Sequence, residues 1–144
     1  MLKRYQFWLW VAIAFQILNA VAHSLSFFIT PVPNNETERQ LIDLMANYRM
    51  DMGAGIYRSM GQLFTALSAC FPLLCLLGAL NNIYVLRKRL DAQLIKGLVS
   101  IQLVVFGICF GVVAVFAFLL PIILTGLIFI TLAITYFMIP ASEH

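Results

Sequence analysis

The stretch that settles the architecture is Gly97–Ser142, GLVSIQLVVFGICFGVVAVFAFLLPIILTGLIFITLAITYFMIPAS, 46 residues without one charged side chain. A single α-helix of that length would be about 69 Å long, roughly twice the hydrocarbon thickness of a bilayer. Two crossings must therefore be folded into it. Pro121 is the expected break, because proline donates no hydrogen bond to the helix ladder and its ring crowds the preceding turn. The expected helices are 97–119 and 121–139, joined by an unusually apolar turn.

Two further apolar spans lie upstream. Phe7–Thr30 is uncharged and long enough for one crossing, with Trp8 and Trp10 near its start, where aromatic rings favour the membrane interface. Pro31 and Pro33 end it, so a helix is expected over 7–30. Lys3 and Arg4, the apolar core and Ala20-Val21-Ala22 also have the form of a cleavable signal peptide over residues 1–22. Apolar character resumes in Leu25, Phe27, Phe28 and Ile29, which favours an uncleaved helix. Gly61–Leu86 is the next uncharged run, within a helix expected at 57–86. Pro72 near its middle removes the bond to the Ser68 carbonyl and predicts a kink. Composition agrees: 62% of the chain is hydrophobic and 10% charged, against roughly a quarter charged in soluble domains. The sequence is one domain in size and reads as an all-α, polytopic membrane protein, a four-transmembrane-helix up-and-down bundle.

The connectors set the orientation. The basic N-terminus and the segment Arg87–Lys96 (with Arg87, Lys88, Arg89 and Lys96) hold most of the cationic residues. The 31–58 loop has Arg39, Arg49 and Arg58, offset by Glu36, Glu38, Asp43 and Asp51. Basic flanks stay inside, so the N- and C-termini are expected on the cytoplasmic side of the cell (inner) membrane and the long loop outside. Net charge of +3, held in such flanks, is no nucleic-acid signature. The outer loop is expected to carry an amphipathic helix over 36–52. Asn35 or Thr37 would cap it, and Gly53 and Gly55 would stop it. Leu41, Leu44, Met45, Tyr48 and Met52 would share one face, and Arg39, Asp43 and Asn47 another. Asn35-Glu36-Thr37 is also a glycosylation sequon, of weight only in a eukaryotic secretory setting.

Candidate chemistry rests on polar residues inside the spans. Gln16, Asn19, His23, Ser26 and Thr30 are spaced 3, 4, 3 and 4 apart and form one seam on a helix. His23 is the one histidine in the spans. Arg58, Gln62, Thr65 and Ser68 enter the second span in the same way. Polar groups turn away from lipid, so the seams should face the interior, with Gln62, Thr65, Ser100, Gln102 or Thr125 as partners. As interhelical ties they would each contribute about 0.6 to 2 kcal/mol. The sharper expectation is a ligand site of Gln16, Asn19, His23, Arg58, Gln62 and Thr65, opening outward with Arg58 at its mouth. No catalytic residue, metal or cofactor is expected. Every carboxylate lies outside the spans, and no Ser/His/acid, Cys/His or CxxC arrangement exists. Cys70 and Cys75, five apart, point about 140° away from each other on a helix; with Cys109 they read as small buried hydrophobes.

Function is bounded rather than specified: a non-enzymatic membrane component, either a partner subunit or a binder of a small lipophilic ligand. The alternative is a small transporter using a His23-centred cavity, handicapped by the lack of an intramembrane carboxylate. Gly107-xxx-Gly111 would allow close helix approach, inside the bundle or in a homo-oligomer. The run Asn19-Ala-Val-Ala-His23-Ser24, the Pro-containing loop with Met45, Met50 and Met52, and Arg58-Ser59 resemble a known layout. It is that of small bacterial four-helix integral-membrane proteins with no assigned activity, and the likeness covers the first 80 residues or so. The resemblance implies a bacterial inner membrane and no particular reaction. Small multidrug transporters place a carboxylate in their first helix, which this chain lacks. Quinone-linked disulfide formers need paired cysteines near the membrane surface, whereas Cys70 and Cys75 lie mid-span.

Overall fold

A computed structural model describes residues 4–140. In chain order the elements are α1 (Arg4–Leu25), α2 (Glu36–Asn47), β1 (Arg49–Asp51), β2 (Tyr57–Ser59), α3 (Met60–Arg87), α4 (Ala92–Phe116) and α5 (Leu119–Met138). A single 3-10 turn, Ser26–Phe28, follows α1. Four helices are long and apolar enough to cross a membrane: α1 with its 3-10 extension, α3, α4 and α5. The protein is predominantly helical, and the apolar runs and the long helices coincide.

The helices begin at Arg4, Met60 and Ala92 where 7, 57 and 97 were expected, and three further differences have a local reason. First, α1 gives way to the tighter turn after Leu25, and residues 29–33 are not helical ahead of Pro31 and Pro33. Second, the loop helix stops at Asn47 instead of reaching Met52. Residues 49–59 form an antiparallel hairpin with Arg49 opposite Ser59, Met50 opposite Arg58 and Asp51 opposite Tyr57. Its turn takes Gly53, Ala54 and Gly55 through positive φ (90°, 53° and 76°), which glycine allows and a helix does not. Third, the α4–α5 break falls at Ala117 and Phe118, both extended, rather than at Pro121. Pro121 sits in the first turn of α5, where helix N–H groups lack intrahelical partners anyway, and its ring would have crowded the Ala117 carbonyl of an unbroken helix. Pro72, by contrast, is carried inside α3.

The described residues fall into two compact units, divided within α1 after Ala20 and within α3 after Leu73. The bundle unit holds residues 4–20 and 74–140. Here α1 buries Tyr5, Leu9, Ala12, Ile13, Gln16, Asn19 and Ala20, one stripe at helical spacing. Cys75, Ala79 and Val85 of α3, Val99 and Phe106 of α4, and Ile128 and Leu132 of α5 complete the core. The outward faces are equally apolar: Leu80, Ile108 and Phe137 are 62%, 66% and 79% exposed. Between α4 and α5 two glycines act as sockets. The Phe129 ring lies 3.0 Å from where a Gly107 side chain would begin, and the Phe110 ring 3.2 Å from that of Gly126. The two rings stack with centroids 6.1 Å apart. Gly107 is thus used inside the bundle unit, and only Gly111 of the glycine pair stays exposed.

Tight ends shape this unit. At the close of α3, Arg89 takes a φ of 50°, its N–H bonds to the Leu86 carbonyl, and that of Leu90 to the Val85 carbonyl. This is the Schellman arrangement, built without glycine. Asp91 then caps α4 by accepting from the Gln93 N–H. Near the far end of α5, Lys96 Nζ reaches the Ile139 carbonyl (3.4 Å) and lies 5.2 Å from the Tyr136 ring centre. A cation there meets the negative end of the α5 dipole.

The loop unit is Val21–Leu73. Asn35 caps α2 by accepting from the Glu38 N–H, and Glu38 accepts in turn from Asn34. Glu36 and Arg39 form a two-pronged ion pair at 2.8 and 2.9 Å. The Met45 carbonyl would stand 3.1 Å from a side chain at Gly61, so α2 and the start of α3 approach where glycine permits it.

Candidate functional site

Hydrogen-bonding side chains inside apolar helices must find partners, because an unpaired one costs several kcal/mol away from water. In the bundle unit three amides meet that demand together. Gln16 of α1 donates through Nε2 to Gln102 Oε1 of α4 (3.0 Å), and Gln102 donates through Nε2 to Asn82 Oδ1 of α3 (2.8 Å). Asn82 Nδ2 lies within reach of both Gln102 Oε1 (3.0 Å) and Gln16 Oε1 (3.2 Å). Gln16 and Asn82 are fully buried and Gln102 is half-buried. Gly78 makes room for the cluster. A side chain there would begin 2.6 Å from Gln16 Nε2 and 3.2 Å from the Phe106 ring. Neutral amides neither gain nor lose protons in the ordinary range, so this triad binds and orients but relays nothing.

Of the five partners considered for the seam, Gln102 is the one bonded to Gln16, and Asn82 completes the cluster. Sequence reasoning missed Asn82. Its signal was a polar residue inside an apolar span, hidden beside Asn81 and five positions before the basic connector.

Asn19, also in the bundle unit, is 2% exposed, and its Nδ2 has no hydrogen-bond partner. The other expected partners are satisfied at home. Ser100 donates to the Gly97 carbonyl, and Thr125 to the carbonyls of Pro121 and Ile122. Beside the triad, a half-open cavity of about 140 Å³ lies between α3 and α4. Gly78 and Phe106 are its buried residues, Leu77, Ile101 and Val105 its exposed rim, and the amides of Asn81 and Gln102 its polar groups.

In the loop unit, His23 is half-buried with the edges of the Phe27 and Phe71 rings around it at 5.7 and 5.3 Å. Its Nε2 is shielded and has no partner. Ser26 donates to the His23 carbonyl instead of continuing an interior seam, and Ser26 and Thr30 are both exposed. Gln62 and Ser59 form a reciprocal capping box: the Ser59 N–H donates to Gln62 Oε1 (3.1 Å) and the Gln62 N–H to Ser59 Oγ (3.3 Å). Thr65 donates to the Gly61 carbonyl, and Arg58 Nη1 to the Tyr57 carbonyl on an exposed strand. Gln62 and Thr65 do line one feature, an open groove of about 570 Å³ with Ala46, Ser59, Gly61 and Ala69. No hydrogen bond joins His23 to Arg58, Gln62 or Thr65.

Four of the six expected site residues thus fall into three settings: Gln16 in the amide triad, Gln62 and Thr65 on the open groove, His23 against two phenylalanines. Asn19 and Arg58 form no side-chain hydrogen bond with the others. Among the described residues no three His, Cys, Asp or Glu side chains gather as a metal site. The cysteines are free, Cys75 buried, Cys70 exposed and Cys109 between. The chain matches no protein-family model, and no curated protein or solved structure is significantly similar to it.

Proposed function

We propose that the chain is a multi-pass protein of the cell (inner) membrane whose four apolar helices cross in up-and-down order. Its termini face the cytoplasm and the loop of residues 31–58 faces outside. Its role is that of a non-enzymatic membrane component, a binder of a small lipophilic ligand or a subunit of a larger complex. One observation carries the membrane reading: the bundle unit pairs its amides inside and turns leucine, isoleucine, valine and phenylalanine outward. Water would favour the reverse, and lipid favours this. The basic connector after α3 and the offset charges of the 31–58 loop support the orientation.

Alkaline extraction should leave the protein in the membrane pellet, and reporter fusions at residues 45 and 92 should report opposite sides. Release into the supernatant, or both reporters on one side, would overturn the four-span reading. A small transporter working through His23 is the second reading, favoured by the shielded, unpartnered Nε2. It requires that His23→Ala abolish uptake into proteoliposomes while leaving the melting temperature in detergent near that of the parent.

A further inference from the structure

Leu74 and Asn81 of α3 and Lys88 just past its end are spaced by seven, which on a helix brings them onto one line. Gly78 and Tyr84 lie between them along the same side. Lys88 continues the helical geometry, its N–H bonding to the Tyr84 carbonyl. This line runs from apolar cavity to amide to exposed aromatic ring to cation.

Each level poses a separate question. The cavity between α3 and α4 is open along its exposed rim of Leu77, Ile101 and Val105, so it faces whatever surrounds the bundle. At about 140 Å³ it holds a short stretch of hydrocarbon chain and no more. Asn81 lines that cavity, is exposed, and makes no side-chain hydrogen bond among the described residues, in contrast to its buried neighbour Asn82. An amide on the lipid side of an apolar helix calls for a partner from outside the chain. Tyr84 is 59% exposed. Arg87, Lys88 and Arg89 are exposed and form no ion pair among the described residues. The one acid close in sequence, Asp91, accepts from the Gln93 N–H as the cap of α4.

We infer that this face is a binding slot for one anionic phospholipid. Its acyl chain lies in the α3–α4 cavity, an ester carbonyl accepts from Asn81, and its phosphate is held by Lys88 with Arg87 or Arg89. The spacing fits: Asn81 and Lys88 are about 10 Å apart along the helix axis, and a headgroup layer is roughly 5–8 Å thick with a flexible lysine spanning the rest. Charge selects the anion, and the amide selects an oxygen-bearing molecule over bare hydrocarbon. The slot rests on the membrane reading above, which puts this end of α3 at the cytoplasmic leaflet, the face where anionic lipids collect.

The test uses the full-length protein in detergent, titrated with dioleoyl phosphatidylglycerol, dioleoyl phosphatidylcholine or inorganic phosphate and observed by native mass spectrometry. Phosphatidylglycerol should bind as one tight copy, with phosphatidylcholine weaker by about fivefold for each basic side chain engaged. Phosphate alone should not bind. Val105→Trp, on the exposed rim, should block the cavity and remove the tight copy. Asn81→Leu should weaken both lipids, and Lys88→Gln should reduce only the preference for the anionic one. Helix content and melting temperature of each variant serve as fold controls. Equal binding of the two lipids, or tight binding that survives Val105→Trp in a folded protein, overturns the slot. Release of the protein by alkaline extraction would instead overturn the membrane reading, so the two failures are distinguishable.

Discussion

Gln16, Asn82 and Gln102 come from three helices and bond across sequence separations of 20, 66 and 86 positions. In the loop unit Asn35, Ser59 and Gln62 bond to groups three positions away, and Thr65 to one four away. The chemistry of the side chains is alike, and the difference lies in what the nearby backbone leaves free. Helix interiors have already paired their N–H groups, so a long amide must look to another helix. At helix starts the first N–H groups are unpaired, and the same side chains become caps. Polar residues therefore hold separate helices together in the bundle unit and define element ends in the loop unit.

This contrast can be broken most severely at Asn82, which takes part in three of the four triad bonds. Asn82→Leu is expected to lower unfolding free energy in micelles by about 2–3 kcal/mol, since it leaves Oε1 of the buried Gln16 and Nε2 of the half-buried Gln102 without their partner. Replacing all three amides by leucine should recover at least half of that loss. If the triple variant is no better than the single one, unsatisfied amides are not the cause.

Next comes Gly78→Ala, whose new methyl group would sit against Gln16 Nε2. Overpacking of this kind costs about 1–3 kcal/mol. Most of it should vanish in a Gln16→Ala background, a coupling that a double-mutant cycle in the same micelles would measure.

A milder effect is expected at Asn35. Asn35→Ala should cost roughly 1 kcal/mol of local stability. Amide exchange should quicken across Glu36–Asn47 and stay unchanged in the bundle unit; exchange that quickens in α4 or α5 as well would contradict the local nature of the caps.

The smallest effect involves pH. The Arg39 guanidinium, and then Gln40, holds the Glu36 carboxyl below its ordinary 4.5. A depressed carboxylate contributes stability that is full above the unfolded value and fades as pH falls through the folded one. Protection of α2 amides, corrected for the intrinsic pH dependence of exchange, should therefore fall modestly on acidification below about that value, and Glu36→Gln should remove that loss.

The four long helices were legible because each apolar run exceeds what a soluble core needs. The start of α2 was legible in Asn35-Glu36-Thr37-Glu38, a cap followed by acids. The end of α2 was not. Strands of three residues carry no alternation to read, and Gly53 and Gly55 looked like a helix stop rather than a hairpin turn. Two of the three triad members, Gln16 and Gln102, stood out in the sequence as polar residues of apolar spans. Asn82 did not, since only three-dimensional packing separates it from Asn81, which faces the other way. The seam beyond Asn19 failed for a related reason: Ser26 lies past the end of α1, where its hydroxyl found a carbonyl one turn back.

The threonines of α5 have a consequence for how the protein is put together. Thr125, Thr131 and Thr135 are buried, yet each donates to a carbonyl of its own helix. That helix can enter lipid with its side-chain hydroxyls already satisfied. Helices α1, α3 and α4 each bring an amide that stays unsatisfied until the others arrive. On the four-span reading proposed above, assembly should therefore be cooperative for those three and permissive for the last, which docks by fitting phenylalanine rings into glycine sockets.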